Sequence, residues 1–311
     1  MRSGPIPLKK ADLFGKDHDY EKTHQYGVML VLVGATLWGS SSNSLEYLMT
    51  YQHFSWDTVL AIRMVVTAAV FLLISGLRGE KLLEPVKKDF LRLLRFTVLG
   101  LYTMQVPFTI AIHYSNAATG TVLQYLMPVI LLGYYLILER RRPRRREAVA
   151  AFLAIVGTFL IATKGEGAAL AISREALFWG ILSAFGMAFY TAFAADLLHR
   201  YPTFLIIGWG SLGNALLLMA LNHPTLEGTL WTAGTLAAFG IIIVLGTLIA
   251  YTVYLESTKY IPASETGALA AFEPLSAYAV SILFMGNRVG FVEMAGALCI
   301  MVMVWMLSKK A

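Results

Sequence analysis

The chain has 311 residues, of which 57% are hydrophobic and only 14% charged, with a mean hydropathy of +0.64. Soluble domains carry roughly 25% charged residues, so a soluble globular protein is excluded and a polytopic membrane protein is expected. The formal charge of +6 sits in short basic clusters between apolar runs, a pattern that points to membrane topology and anionic headgroups and away from nucleic acid.

Residues 1–24 contain Arg2, Lys9, Lys10, Lys16 and Lys22 with Pro5 and Pro7, and no apolar stripe. They predict a flexible cytoplasmic tail. The first apolar run is long enough to span, and no small-residue cleavage site follows it, so a cleavable signal is not expected. Ten apolar runs follow, at 26–48, 57–77, 93–113, 118–138, 147–163, 176–196, 203–221, 235–257, 263–285 and 289–308. Each has the length that a helix rising about 1.5 Å per residue needs to cross a hydrocarbon core of about 30 Å. The runs are continuous and lack the alternation of a barrel wall. The expected fold class is therefore an all-α polytopic membrane protein with ten transmembrane helices.

Lys and Arg set the orientation. With the N-terminus inside, the clusters Arg78–Arg95 and Arg140–Arg146, together with Arg200, Lys259, Lys309 and Lys310, all face the cytoplasm, and the outside keeps only Lys164, Arg174 and Arg288. Both termini are expected in the cytoplasm, with the chain in the cell (inner) membrane. The one cysteine, Cys299, falls in the last run. It leaves no intrachain disulfide and no CxxC or Cys/His metal site.

The two halves echo each other. Tyr114 to Pro128 reads Y-S-N-A-A-T-G-T-V-L-Q-Y-L-M-P, and Tyr260 to Pro274 reads Y-I-P-A-S-E-T-G-A-L-A-A-F-E-P, 146 residues later without a gap. The same offset pairs Gly34 with Gly180, His53 with His199, Gly100 with Gly246 and Glu147 with Glu293. With five helices in each half, the second must enter the membrane from the opposite side. The domains expected are an inverted pair, 25–165 and 171–308, a construction used by secondary transporters.

The residues also resemble a known family. Trp38-Gly39 in the first helix, Arg63 early in the second, the Tyr-x-x-Ala openings and mid-helix Pro128 and Pro274 of the fourth and ninth, and Glu139 closing the fourth look like the EamA branch of the drug/metabolite transporter superfamily. The resemblance covers about residues 26–308. It departs at Asn287, where the second half usually repeats a Gly-Glu pair, and in the long arginine run 140–146. It implies transport and leaves the cargo open among amino acids, nucleotide and sugar derivatives, amines and drugs.

The second copy of the repeated stretch alone places a carboxylate, Glu273, near the bilayer midplane, beside Pro274. Intramembrane carboxylates are costly, about 2.5–3.5 kcal/mol on insertion scales. Glu273 is accordingly a candidate for cargo binding or proton coupling, or else a structural group that ties two helices together. On a helix its face would hold Thr266, Leu269, Ala270, Ser276, Ala277 and Val280. Across the pseudo-axis stands Gln124. Gln105 on the third helix is equivalent to Tyr251 on the eighth, and Tyr254, Trp38 and Tyr190 lie at similar depth. An aromatic lining around one carboxylate suits an amine by charge and cation–π attraction, and suits flat aromatic cargo equally. Asn43, after Ser40-Ser41-Ser42, is either a cargo contact or a close-packing residue. Arg63 can pair with Glu46 as a gate, or snorkel as a structural cation.

The expectation is a secondary active transporter of a small organic solute (an amine or other organic cation, an amino acid or a related metabolite), proton-coupled through Glu273. A passive channel or a lipid flippase of the same fold is the alternative. No GxSxG, HExxH or Walker loop occurs, so neither an enzyme nor a primary pump is expected. No cofactor or metal is called for. Glu265 and Glu256 form a candidate inner vestibule, anionic headgroups at 140–146 are expected partners, and a homodimer is compatible with such a bundle.

Overall fold

The computed structural model describes residues 10–164, 172–257, 260–261, 269–270 and 272–308. All regular structure among the described residues is helical. In chain order the elements are α1 (Lys10–Tyr51), α2 (Trp56–Leu77), the short α3 (Glu84–Lys88), α4 (Phe90–Arg95), a π-helical segment (Phe96–Tyr102), α5 (Thr103–Tyr114), α6 (Ala117–Gln124), α7 (Met127–Leu138), α8 (Arg145–Thr163), α9 (Arg174–Leu198), α10 (Thr203–Asn222), α11 (Ala233–Gly240), a second π segment (Ile241–Ile249), α12 (Ala250–Ser257), α13 (Phe272–Phe284) and α14 (Phe291–Ser308).

Among the described residues, seven helical stretches are long and apolar enough to cross a membrane: His24–Tyr51, Trp56–Leu77, Phe90–Tyr114, Ala117–Leu138, Arg145–Thr163, Thr203–Asn222 and Ala233–Tyr254. Phe272–Phe284 and Phe291–Leu307 are shorter apolar helices, and α9 fills the place of the sixth expected span. Large apolar side chains such as Leu77, Ile137, Phe284 and Phe291 stand out from the surface. Lipid tails accept such a surface, whereas water penalises it.

Three features depart from uninterrupted spans. First, α1 reaches back to Lys10, so residues 10–24 are helical where their composition predicts an irregular tail. Extending an existing long helix avoids the nucleation cost that a separate short one would meet. Second, the run expected at 118–138 is two helices, parted at Tyr125–Leu126. Pro128 explains the position, because its missing N–H and its ring act against the carbonyl four residues earlier, at Gln124. Third, both π segments fall at nearly the same place under the 146-residue offset, around Gly100 and Gly246. At each, a threonine hydroxyl bonds back five residues at 2.9 Å, from Thr103 just after the first segment to the Val98 carbonyl and from Thr247 within the second to the Ile242 carbonyl. Such wide turns recur at functional sites.

Packing pairs α8 with α14, α10 with α2, α9 with α5 and α1 with α13. Small residues allow the crossings, as is usual where no hydrophobic effect drives helices together in lipid. A Cβ on Gly157 would lie 2.8 Å from the Gly296 carbonyl oxygen, and one on Gly296 would lie 2.8 Å from that of Gly157. One apolar core joins α6, α8, α13 and α14 through Val122, Ala154, Tyr278, Ile300 and Met303; a second joins α1, α2, α5, α6 and α11 through Leu45, Leu48, Val59, Ile112, Ala117 and Phe239.

Candidate functional site

Between these helices lies a cavity of about 930 Å³, a size that takes a small organic molecule. Its walls come from α1 (Trp38, Ser41, Ser42), α2 (Arg63), α5 (Met104, Gln105, Phe108), the α6–α7 break (Gln124, Tyr125, Met127, Pro128), α9 (Met187, Tyr190, Thr191), α12 (Tyr251, Tyr254) and the α13 region (Ala270, Glu273). At one end the lining continues to Arg144, Arg146, Glu147, Leu198, Thr203 and Leu307. That end, beside the arginine run, is the mouth.

Glu273 carries the acidic chemistry. Its Oε2 accepts a hydrogen bond from the Tyr125 hydroxyl at 2.9 Å, and the same hydroxyl lies 2.8 Å from the Ala270 carbonyl. Tyr125 thus ties the α6–α7 break to the helix that bears the carboxylate. Arg63 carries the basic chemistry. Its Nη1 donates to Gln105 Oε1 at 3.3 Å, while Nε has no hydrogen-bond acceptor among the described residues. The two charges act on each other through the cavity, and the Tyr251 hydroxyl stands near both. The low-dielectric walls of the cavity screen that attraction less than bulk water would.

The aromatic wall is built around Trp38. Its ring centroid is 5.4 Å from that of Tyr251, edge on, and 5.0 Å from that of Tyr254. The Tyr190 hydroxyl bonds with that of Tyr251, and its ring lies tilted against Phe96 with centroids 5.2 Å apart. The close approach of α1 that presents Trp38 depends on the next residue. A Cβ on Gly39 would lie 3.0 Å from the Glu273 carbonyl oxygen and 2.7 Å from the Ala277 nitrogen, and would collide with the Ser276 hydroxyl.

Of the residues singled out in the sequence, Trp38, Arg63, Gln105, Gln124, Tyr190, Tyr251, Tyr254 and Glu273 are brought together on this cavity. Asn43 is not among its lining residues. It is 2% exposed, and its amide donates to the Gly39 carbonyl at 2.9 Å and the Ala277 carbonyl at 3.0 Å, tying α1 to α13. Glu46 does not meet Arg63. Its two oxygens are taken by the Ala117 N–H and the Asn287 amide, both at 2.8 Å, while Arg63 turns to Gln105.

The face expected around Glu273 is also corrected. Ser276 and Ala277 pack on α1 and do not line the cavity, because that side of the helix is needed for the crossing at Gly39. Thr266 and Glu265 lie outside the described residues. Tyr125 is a contact of Glu273 on the cavity wall that the sequence did not single out. The available signal was its place three residues before Pro128, where a broken helix turns a side chain out of register. Among the described residues no group of three His, Cys, Asp or Glu side chains comes together as a metal site.

Comparison with known proteins agrees with this architecture. Residues 25–163 and 174–309 each match the model of the EamA-like transporter family. An uncharacterized inner membrane transporter, YicL of Salmonella typhimurium, is 34% identical over 289 residues, covering 91% of this chain and 95% of its own. An uncharacterized transporter, YcbK of Bacillus subtilis, is 21% identical over 281 residues, covering 87% of this chain and 88% of its own. A solved crystal structure superposes with a TM-score of 0.60 at 15% identity, covering 90% of this chain and 95% of that one, and so shares the fold. With two copies of the family domain filling most of its length, the chain belongs to the EamA-like transporter family, and it is a membrane transporter and not an enzyme.

Proposed function

We propose that the protein is a secondary active carrier of a small organic solute that bears an ammonium group, working by alternating access in the inner membrane. The observation that carries this reading is the cavity in which Glu273, Arg63 and the Trp38–Tyr251–Tyr254 wall face one another. An ammonium group would sit at Glu273 against the aromatic faces, gaining charge and cation–π attraction together. A carboxylate or another acceptor on the same molecule would turn to Arg63. Amines and amino acids, aromatic ones above all, fit both ends of that site. Glu273 is also the group that would exchange cargo for a proton, since a carboxylate alternates between holding one and holding a cation.

Ten transmembrane helices in two inverted halves supply the movement. The two copies of the family domain and the π segments repeated around Gly100 and Gly246 support that arrangement. With both termini in the cytoplasm, the arginine-lined mouth opens inward, where anionic headgroups would lie against Arg140–Arg146. The structure is then read as the inward-open state.

A thermal-shift screen of the purified protein against amines, amino acids and aromatic metabolites, repeated with Glu273→Gln, tests the cargo class. Stabilisation by amines should disappear in the variant, and undiminished amine binding would sink the proposal. Proton coupling is read separately in proteoliposomes. Transport that ignores an imposed pH gradient would remove that part alone.

A further inference from the structure

The cavity is open at the arginine end, so something must close it at the other. We propose that Glu46 is the latch there, and that α6 is the plug it holds. The inference rests on the reading of the protein as an alternating-access carrier.

Glu46 is 7% exposed and lies one turn beyond Ser42, the last cavity-lining residue of α1. Its carboxylate joins three segments. Oε2 accepts the N–H of Ala117, the first residue of α6, at 2.8 Å. Oε1 accepts from Asn287 Nδ2 at 2.8 Å, in the turn between α13 and α14. Asn287 is itself held by Ser281, with Nδ2 2.8 Å from Oγ and the backbone N–H bonded to the Ser281 carbonyl at 3.2 Å. The first turn of α6 is gripped from its other side too. Thr119 Oγ1 donates at 3.2 Å to Glu293 Oε1, a carboxylate only 1% exposed, whose Oε2 pairs with Lys164 at 3.5 Å.

The shape of α6 suits a plug. It is eight residues long, and Ala117 through Leu123 are buried. At its far end the chain breaks at Tyr125–Leu126 before α7 resumes. It is therefore pinned at one end by two carboxylates and jointed at the other, where Tyr125 touches the carboxylate proposed to bind cargo. Opening this end needs α6 to swing on that joint once Glu46 and Glu293 let go. A carboxylate released there meets incoming water, which takes over its hydrogen bonds, so the latch can part without leaving a bare buried charge.

The neutral amide at Asn287 matters to this arrangement. It donates to Glu46, whereas a carboxylate in its place would face Glu46 as a like charge.

Cysteine accessibility tests the latch without a known cargo. In the full-length protein, Cys299, its only cysteine, is replaced by Ala, and Ser42→Cys is added as reporter on the cavity wall. A membrane-impermeant maleimide is then applied to right-side-out and inverted vesicles. The parent should label from the arginine-bearing face only. Glu46→Ala should raise labelling from the opposite face roughly tenfold or more, and Asn287→Ala, which removes one donor of the set, by a smaller factor. Persisting labelling from the arginine face shows that the variants fold. If it persists while neither variant labels from the opposite face, the latch is refuted. If Glu46→Ala labels from neither face, Asn287→Ala decides alone. A parent that labels from the opposite face, or from neither, would instead overturn the inward-open reading on which the latch rests.

Discussion

Gly39→Ala should damage this protein more than its size suggests. The added methyl would stand 2.7 Å from the Ala277 nitrogen and 3.0 Å from the Glu273 carbonyl oxygen, with the Ser276 hydroxyl in its way. The Ser276 hydroxyl can rotate away, but the backbone atoms cannot, so α13 must retreat from α1 by several tenths of an ångström. That retreat stretches the 3.0 Å bond from Asn43 to the Ala277 carbonyl and draws Glu273 back from Tyr125 and the cavity. Overpacking of this kind costs about 1–3 kcal/mol, and loss of the Asn43 bond adds about 0.5–1.5 kcal/mol. Gly133→Ala is the matched control. That glycine lies in α7 with none of the described residues within 4 Å of an added Cβ, and there Ala should stabilise the helix by roughly 0.5–1 kcal/mol. Reversible unfolding in mixed micelles, measured on both variants beside the wild type, gives the comparison. A Gly39→Ala protein as stable as Gly133→Ala would refute the argument that this crossing sets the position of Glu273.

Other substitutions probe the polar contacts. Tyr125→Phe removes the hydroxyl that reaches Glu273 and the Ala270 carbonyl; it should lower stability by about 1–3 kcal/mol in the same assay, while Tyr254→Phe, which keeps its ring against Trp38, should change it little. Gln105→Leu takes the acceptor from Arg63 Nη1, on a side chain whose Nε already lacks one among the described residues. It should cost a similar amount, and Gln105→Glu should restore most of it. Outside the membrane, the Tyr201 hydroxyl and then Arg92 hold the Asp89 carboxyl below the ordinary carboxylate range. A depressed value contributes stability that is present above about pH 4 and lost as pH falls through the folded value. Thermal scans should therefore show a smaller acid-side loss for Tyr201→Phe than for wild type. Equal losses would mean that this contact does not matter.

Much of this was legible from the chain because membrane proteins write their elements plainly. Apolar runs interrupted by Lys and Arg clusters mark helices by length alone, and the Tyr114 and Tyr260 stretches reveal the duplication. The cavity residues Trp38, Gln105, Gln124, Tyr190, Tyr251, Tyr254 and Glu273 were legible as a cluster because depth in the bilayer follows from position along each run. Rotation of a helix about its own axis was not. On α1 the polar residues Ser40 to Ser44 and Glu46 follow one another round the helix, so no single polar face tells which side looks inward; the sequence leaves Asn43 open between cargo and close packing and offers Glu46 to Arg63, whereas the structure turns Asn43 to α13 and Glu46 to α6. The break at Tyr125 was hidden for a related reason, since Pro128 announces a disturbance but not which side chain the disturbance turns inward.

The paired π segments have a consequence for the phase of the cavity wall. Each wide turn takes up more residues than an α-helical turn, and each residue of an α-helix advances the chain by about 100° around its axis. Everything after Tyr102 and after Ile249 is thereby rotated relative to what precedes it. Gln105 and Tyr251, equivalent under the repeat, owe their inward aim to these extra residues. Deleting one residue from Phe96–Tyr102 would leave a more regular helix and turn Met104, Gln105 and Phe108 away from the cavity together. At these two places a gain in helical regularity would turn side chains out of the cavity, and the irregularity is what lets a plain apolar helix present a polar side chain to it.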